Sequence, residues 1–97
     1  MQFLQLDYFA NHVNETFALD LGGANHDLTL VQASPMPFRN RDGLVRAPFR
    51  LLFRSTLQIV FPQRTYSLTN ATTGQLSIFL VPIGRDVQGV LYEAVFN

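Results

Sequence analysis

Short runs in which apolar residues recur at every second position dominate this sequence from residue 16 onward. In "PFRLLFRS", Phe49, Leu51 and Phe53 point one way, whereas Arg50 and Arg54 point the other way. A period of two is the side-chain period of a β-strand, and an amphipathic helix would need a period of 3.6. The chain is therefore expected to fold mainly from strands that turn one face toward a core.

Six runs of this kind cover residues 16–21, 27–32, 48–55, 65–70, 75–84 and 90–97. A further apolar stretch, residues 57–63, contains Pro62 and is expected to be an edge strand or an extended connection. The pattern predicts a mainly β (α+β) fold, either a small antiparallel β-sandwich or a partly open barrel of about six strands.

One short helix is predicted near the N-terminus, in the segment "DYFANHVNE". Asp7 is expected to cap this helix by accepting a backbone N–H. Phe9 and Val13 lie at i and i+4 and share a face, and Asn14 tolerates the left-handed conformation that ends a helix. Because so short a helix needs packing contacts, we expect it to plug one end of the strands.

The fifth run is apolar on both faces. In "SIFLVP", Ile78 and Leu80 alternate with Phe79 and Val81. An antiparallel strand with one solvated face alternates more strictly than this. Both faces are therefore expected to be covered, one of them by the helix or by a second copy of the chain.

The chain closes on "LYEAVFN", an apolar run whose single charge is Glu93. Exposed tails are usually rich in charged and small polar residues. We therefore expect residues 91–96 to form a strand antiparallel to residues 75–82, inside the fold. Tyr92 and Phe96 should share a face and be buried.

Length and composition limit the classes of protein that this chain can represent. Its 97 residues, 47% of them hydrophobic, suit one core, and we expect a single domain over residues 1–97. There is no cysteine, which excludes disulfide and thiol chemistry. No stretch approaches the roughly 20 apolar residues of a membrane helix, and the first residues lack a signal peptide's positively charged region. A cytoplasmic location without a membrane partner is expected.

Motifs for catalysis, cofactors or metals are not apparent. The pair Gly22-Gly23 joins two strands and is expected to form a hairpin turn, because no glycine-rich phosphate-binding pattern surrounds it. His12 and Glu15 would form a two-histidine, one-carboxylate metal site with His26 only if the helix end met the hairpin turn, so surface roles are favoured. No serine lies in a nucleophile-elbow pattern. We therefore expect a protein that is not an enzyme and has no cofactor, metal or catalytic residue.

The arginines are the best functional lead in the sequence. The chain has no lysine, and residues 39–64 hold six of its seven arginines against one aspartate, a net charge of 6 − 1 = +5. Residues 1–38 carry a net charge of −4. The candidate partner-binding residues are Arg39, Arg41, Arg46, Arg50, Arg54 and Arg64.

A basic band with interleaved aromatic rings is typical of proteins that bind single-stranded nucleic acid. Here Phe49 and Phe53 should face the core, away from Arg50 and Arg54, so nucleic acid is disfavoured as a partner. An acidic face of another protein, or the acidic N-terminal third of a second copy, would need no rings and is preferred.

Five segments, "YFANHVNETFALDL", "PFRLLFR", "FPQRTYSL", "GQLSIFLVPIGRD" and "YEAVFN", resemble a family of small uncharacterised bacterial proteins. These proteins have about the same length and a very similar tyrosine–glutamate–alanine–valine–phenylalanine–asparagine ending. The family typically has glycine at the position of Asn14, which agrees with a left-handed stop there. Its members are often encoded near tail-fibre or collar-like genes, and no catalytic residue carries over. The resemblance implies an accessory or assembly protein, cytoplasmic or part of a phage-like particle.

These observations favour a structural or interaction protein that self-associates or docks on a larger assembly, such as a phage-tail-like structure. The alternative is a small-ligand-binding β-barrel, in which some of the nine phenylalanines would line a pocket. A nucleic-acid-binding module that uses the basic band of residues 39–64 ranks third.

Overall fold

The computed structural model describes residues 5–36 and 48–96 and shows a closed barrel of six antiparallel strands with one short helix. In chain order the elements are α1 (Leu6–Ala10), β1 (Thr16–Asp20), β2 (Asn25–Pro35), β3 (Phe49–Ser55), β4 (Arg64–Asn70), β5 (Gly74–Asp86) and β6 (Gly89–Phe96). The prediction of a mainly β fold with about six strands and one N-terminal helix is confirmed.

The strand order around the barrel is β1-β2-β3-β6-β5-β4, and β4 pairs back onto β1. Because the β5–β6 hairpin lies between β3 and β4, the chain must cross one end of the barrel after β3. Residues 56–63 make this crossing. Residues 57–63, which were expected to be either an edge strand or an extended connection, therefore belong to a connection.

The final strand lies inside the sheet, as predicted for the closing apolar run. β6 pairs with β3 on one side and with β5 on the other, both antiparallel. Tyr92 lies opposite both Phe53 and Pro82 and is buried. Phe96, the last residue of β6, is only half-buried, so the prediction that both aromatic side chains are buried is wrong for Phe96.

The seam between β1 and β4 closes the barrel through few contacts. Two ladder pairs join these strands, Ala18 with Thr69 and Leu19 with Leu68, and the Asn70 side-chain amide also donates to the carbonyl oxygen of Thr16 over 2.9 Å. Irregularities in β2, between Leu30 and Gln32, and in β5, between Pro82 and Gly84, add local bends. Bends of this kind increase the curvature and twist that barrel closure requires.

Side chains fill the interior of the barrel. Every strand contributes alternate residues to one hydrophobic cluster, which includes Phe17, Phe53 and Tyr66. Small barrels enclose a space that side chains can fill, and large apolar residues occupy this one. Arg50 and Arg54 lie on the outer face of β3, as the alternation predicts.

The helix covers one end of the barrel, as expected. Phe9 is fully buried, and its ring centroid lies 6.0 Å from that of Phe49 and 5.5 Å from that of Phe96. The capping prediction is wrong, because Gln5 occupies the N-cap position without a side-chain hydrogen bond and Asp7 lies within the first turn. Asn14 has the predicted left-handed conformation, with a φ of 76°, but it does not end the helix, which stops at Ala10 with Asn11 as its C-cap.

The outer face of the closing hairpin is not covered within one chain. Phe79 and Val95 point outward and are exposed, whereas Ile78 and Leu80 lie in the core. The helix does not reach this face, since it lies across the barrel end. The expectation that both faces of the fifth run are covered is therefore not met by a single chain.

Two turn and loop predictions concern the ends of strands. Gly22 and Gly23 have positive φ angles and form the turn between β1 and β2, which confirms the hairpin. The two prolines, the asparagine and the Asp-Gly pair of "SPMPFRNRDG" predict a loop over residues 34–43, but Ser34 and Pro35 belong to β2. Residues 37–43 of that predicted loop lie outside the described residues.

Candidate protein-interaction surface

The connection between β3 and β4, residues 56–63, is called the crossover segment below. It passes over the barrel end opposite the helix, where β1, β3 and β5 end and β2, β4 and β6 begin. Phe61 turns inward there, and its ring centroid lies 5.7 Å from that of His26 and 6.1 Å from that of Tyr92. Phe61 therefore closes this end of the barrel, as Phe9 closes the other.

Two tyrosine hydroxyls hold the second half of the crossover segment. The backbone N–H of Phe61 donates to the Tyr92 hydroxyl over 2.9 Å, and the Tyr66 hydroxyl donates to the carbonyl oxygen of Pro62 over 2.6 Å. Both rings are buried in the core. Burial raises the pKa of Tyr92, so this phenol stays neutral and available as an acceptor.

The first half of the crossover segment is held by the β5–β6 hairpin. The Gln58 side-chain amide donates to the carbonyl oxygen of Asp86 over 3.0 Å, and Arg85 donates to the carbonyl oxygen of Gln58 over 3.4 Å. The Leu57 N–H donates to the Ser55 hydroxyl, which also contacts the His26 ring. The crossover segment is thus fixed at both halves by partners that are distant in sequence.

Large apolar side chains on this end point into solvent. Seven large hydrophobic residues are exposed among the described residues, and four of them lie on the crossover segment or at the tip of the β5–β6 hairpin. These four define the crossover face: Leu57 (39% exposed), Ile59 (65%), Val60 (47%) and Val87 (98%). Val87 lies at the tip of the β5–β6 hairpin and the others on the crossover segment, so a pinned backbone presents an apolar surface.

The arginines predicted from the sequence do not form one band among the described residues. Arg50 pairs with Glu93 over 3.1 Å, and Arg54 pairs with Asp86 over 3.0 Å. Arg64 lies over the Tyr66 ring, 4.8 Å from its centroid. β3 and β4 are three strands apart in either direction around the barrel, so Arg64 is on the far side from the first two. Arg39, Arg41 and Arg46 lie outside the described residues.

The ion pair beside the crossover face has a perturbed carboxylate. The backbone N–H of Gln88 donates to Asp86 over 2.8 Å, and Arg54 binds the same oxygen. These two contacts lower the pKa of Asp86 and outweigh the opposing effect of desolvation. Asp86 therefore stays ionised and fixes the hairpin turn that carries Val87.

Charges of opposite sign occupy adjacent sectors around the crossover face. Asp20 is the last residue of β1 and Asp27 the third of β2, whereas Arg64 is the first of β4 and Arg85 the second-last of β5. All four are exposed. The side chain of Asp27 has no hydrogen bond or ion pair with the described residues. Apart from the Arg54–Asp86 ion pair, the end surface therefore has an apolar centre, an acidic sector on β1 and β2 and a basic sector on β4 and β5.

The candidate metal ligands are not brought together. His12 contacts Glu15 over 3.0 Å, whereas His26 contacts Ser55 over 3.0 Å. Within residues 5–36 and 48–96, no group of three or more histidine, aspartate or glutamate side chains could hold a metal ion. The two histidines serve as hydrogen-bonding partners in different parts of the barrel.

A cavity of about 550 Å³ lies on the outside of the barrel, over the β1–β4 seam. Its lining is mostly polar and includes Asp20, Asn25, Ser67, Thr69 and Gln75. This open groove differs from the enclosed apolar pocket that a ligand-binding barrel would need. Phe17, Phe53 and Tyr66 fill the interior where such a pocket was considered, and Phe79 points outward.

Sequence reasoning missed the crossover face. The stretch "LQIVFPQ" shows neither strict alternation nor helical periodicity, and it contains a proline. An apolar run that fits no regular element and precedes Pro62 is a usable signal for an exposed apolar connection. Arg85 was also missed, because the stretch "GRDVQG", residues 84–89, is typical of a turn, whereas Arg85 belongs to β5.

No helix within the described ranges has the length and apolar character needed to cross a membrane. A search of curated proteins and a search of solved structures each found no match to the chain. One family model, described as a domain of unknown function (DUF6916), matches residues 4–96. Since this match covers nearly the whole chain, the chain belongs to that family.

Proposed function

We propose that this chain is a non-enzymatic structural or interaction protein that binds another protein chain through the crossover face. The observation that carries the proposal is the exposure of Leu57, Ile59, Val60 and Val87 on a segment whose backbone is held at both halves. Exposed apolar patches rimmed by polar residues are typical of protein–protein contact sites.

The hydrogen bonds that fix the backbone of the crossover segment support a role in protein binding, rather than incidental exposure of its apolar side chains. A flexible loop would lose conformational entropy when it binds, which reduces affinity. Here the hydroxyls of Tyr92 and Tyr66 and the side chain of Gln58 already fix the backbone. Most of the ordering cost has therefore been met during folding, and more of the apolar contact energy is available for the partner.

The composition of the rim agrees with the usual anatomy of an interface. Specific interfaces have an apolar centre and a polar rim that sets orientation. Asp27 and Arg85 lie on that rim, exposed, on different sides of the crossover face. A standard interface buries about 800 Å² on each partner, more than four side chains supply, so rim residues must also take part.

Membership in an accessory or assembly complex of a phage-tail-like structure is the finer form of this proposal. Its support is the resemblance of the quoted segments, including the "YEAVFN" ending, to proteins encoded near tail genes. Such particles are built from repeated protein–protein contacts, which suits a small domain with an apolar end face. Binding of a small ligand in the barrel is disfavoured by the filled interior.

Co-purification from the source organism tests the proposal. A tagged chain is expressed beside the untagged natural copy, so that a second copy would also be detected as a partner. Val87→Asp should remove the specific partner, because a charge at the most exposed position of the crossover face would be buried in the contact. Val95→Asp is the matched control, since Val95 is also exposed but lies on the outer wall of β6.

We expect the partner that co-purifies with the unchanged chain to be lost with Val87→Asp and retained with Val95→Asp. If both variants retain every partner of the unchanged chain, the crossover face does not bind protein and the proposal is wrong. Circular dichroism on both variants should show the same β signal, which excludes misfolding as the cause.

A further inference from the structure

We propose that the crossover face binds a second copy of the same chain, end to end, about a two-fold axis perpendicular to the barrel axis. This inference rests on the proposed function, because it names the partner of the same surface. Its observation is the arrangement of Asp20, Asp27, Arg64 and Arg85 around the apolar centre.

The strand order makes the charge pattern self-complementary. In a six-stranded barrel the strands lie at intervals of about 60° around the axis. A two-fold axis that passes between β1 and β4 on one side and between β3 and β6 on the other exchanges β1 with β4 and β2 with β5. In the dimer this operation brings Asp20 toward Arg64 of the second copy, and Asp27 toward Arg85 of the second copy.

The same operation pairs the apolar centre with itself. An isologous two-fold contact places one surface patch against the same patch of the other subunit. Leu57, Ile59 and Val60 of the two chains would then pack together, and Val87 would leave solvent. Each acidic–basic contact forms twice per dimer, so the rim contributes four charge pairs around one apolar centre.

Other modes of self-association are less well supported by the barrel. Within residues 5–36 and 48–96 the sheet closes through the β1–β4 seam and offers no full-length free edge to a second copy. On the outer wall of β3 and β6, Arg50 already pairs with Glu93 within the chain. Asp27, whose carboxylate has no hydrogen bond or ion pair with the described residues, and the exposed Arg85 give the crossover end complementary charges to share.

Charge reversal tests whether the acidic and basic residues around the crossover face meet in a dimer. The unchanged chain should be a dimer by size-exclusion chromatography with light scattering, at concentrations up to about 1 mM, where even a millimolar contact is half-formed. Asp27→Arg and Arg85→Glu should each raise the dimer dissociation constant about 10-fold or more, because two like-charge contacts form per dimer. An equimolar mixture of the two variants should dimerise again, since all contacts in the mixed dimer are of opposite sign.

The pair Asp20→Arg and Arg64→Glu serves as a second set, in case the loss of Arg85 disturbs its hydrogen bond to Gln58. Thermal unfolding checks that each variant is folded. A monomer at about 1 mM overturns the inference, as does a dimer that neither reversal weakens or a mixture that fails to recover. A further outcome separates the two proposals. If the unchanged chain is a monomer but binds a different host protein that the Val87→Asp variant no longer binds, the second copy is not the partner and the proposed function still stands.

Discussion

Replacing Tyr92 by phenylalanine removes one oxygen atom and leaves the buried ring in place. That oxygen accepts the N–H of Phe61 over 2.9 Å, which is the contact that holds the crossover segment across the barrel end. Tyr92 is 1% exposed and Phe61 is half-buried, so we expect the substitution to leave this N–H without a partner at a part-buried position. An unsatisfied buried donor costs about 1–3 kcal/mol.

Tyr66→Phe is the matched comparison. Its hydroxyl donates to the carbonyl oxygen of Pro62, an exposed residue whose carbonyl water can reach after the substitution. The expected loss is therefore smaller, about 0.5–1.5 kcal/mol. In a domain of this size 1 kcal/mol corresponds to about 4–8 °C in Tm, so the two variants are distinguishable by differential scanning calorimetry.

Amide hydrogen exchange locates the effect of Tyr92→Phe. The Phe61 amide should lose protection more than the amides of β3 and β6, because the crossover segment opens locally before the barrel unfolds. If Tyr92→Phe melts within a degree of the unchanged chain and the Phe61 amide keeps its protection, the hydroxyl does not hold the crossover segment and the reasoning is wrong.

Three further predictions concern the barrel itself. Gly89→Ala should destabilise the protein by at least about 3 kcal/mol, because the added Cβ would overlap the carbonyl oxygen of Ser55 and the residue has a positive φ. Gly74 also has a positive φ but has open space around it, so Gly74→Ala should cost only about 1 kcal/mol. Urea unfolding measures both free energies. Asp86 has a lowered pKa in the folded state, so the stability it contributes is present above the ordinary aspartate pKa near 4 and is lost as pH falls through the lower folded pKa. Asp86→Asn should therefore flatten the acid side of a plot of Tm against pH. An unchanged slope would contradict this. Deleting residues 92–97 removes most of β6 and leaves β3 and β5 without their shared neighbour, so the cooperative melting transition should disappear; a normal transition would show that the segment is not part of the core.

The strands were predictable because their signal is local. In β3, Phe49, Leu51 and Phe53 alternate with Arg50 and Arg54, and burial follows that alternation at these five positions, although Leu52 between them is buried as well. Helix bounds were less predictable, because neighbouring turns compete with so short an element, and Asp7 proved to be inside the helix rather than its cap.

The candidate site depends on contacts that no local pattern contains. The Phe61–Tyr92 hydrogen bond joins residues 31 positions apart, and the Arg54–Asp86 pair joins residues 32 positions apart. Counting charges along the chain places Arg54 in a basic segment, yet in the fold its partner carboxylate comes from another strand. Closure of the barrel depends on contacts across the β1–β4 seam, the two ladder pairs and the Asn70–Thr16 hydrogen bond, which are likewise distant in sequence.

Site-specific photocrosslinking from Val87 in living cells of the source organism tests the binding role of the crossover face most directly. A photoreactive phenylalanine at this position, 98% exposed in the free chain, should leave the fold intact and lie inside the contact. We predict a covalent adduct with a protein from position 87 and none from position 95, where the same group would point out of the wall of β6. Equal labelling from the two positions, or none from position 87, would contradict the account.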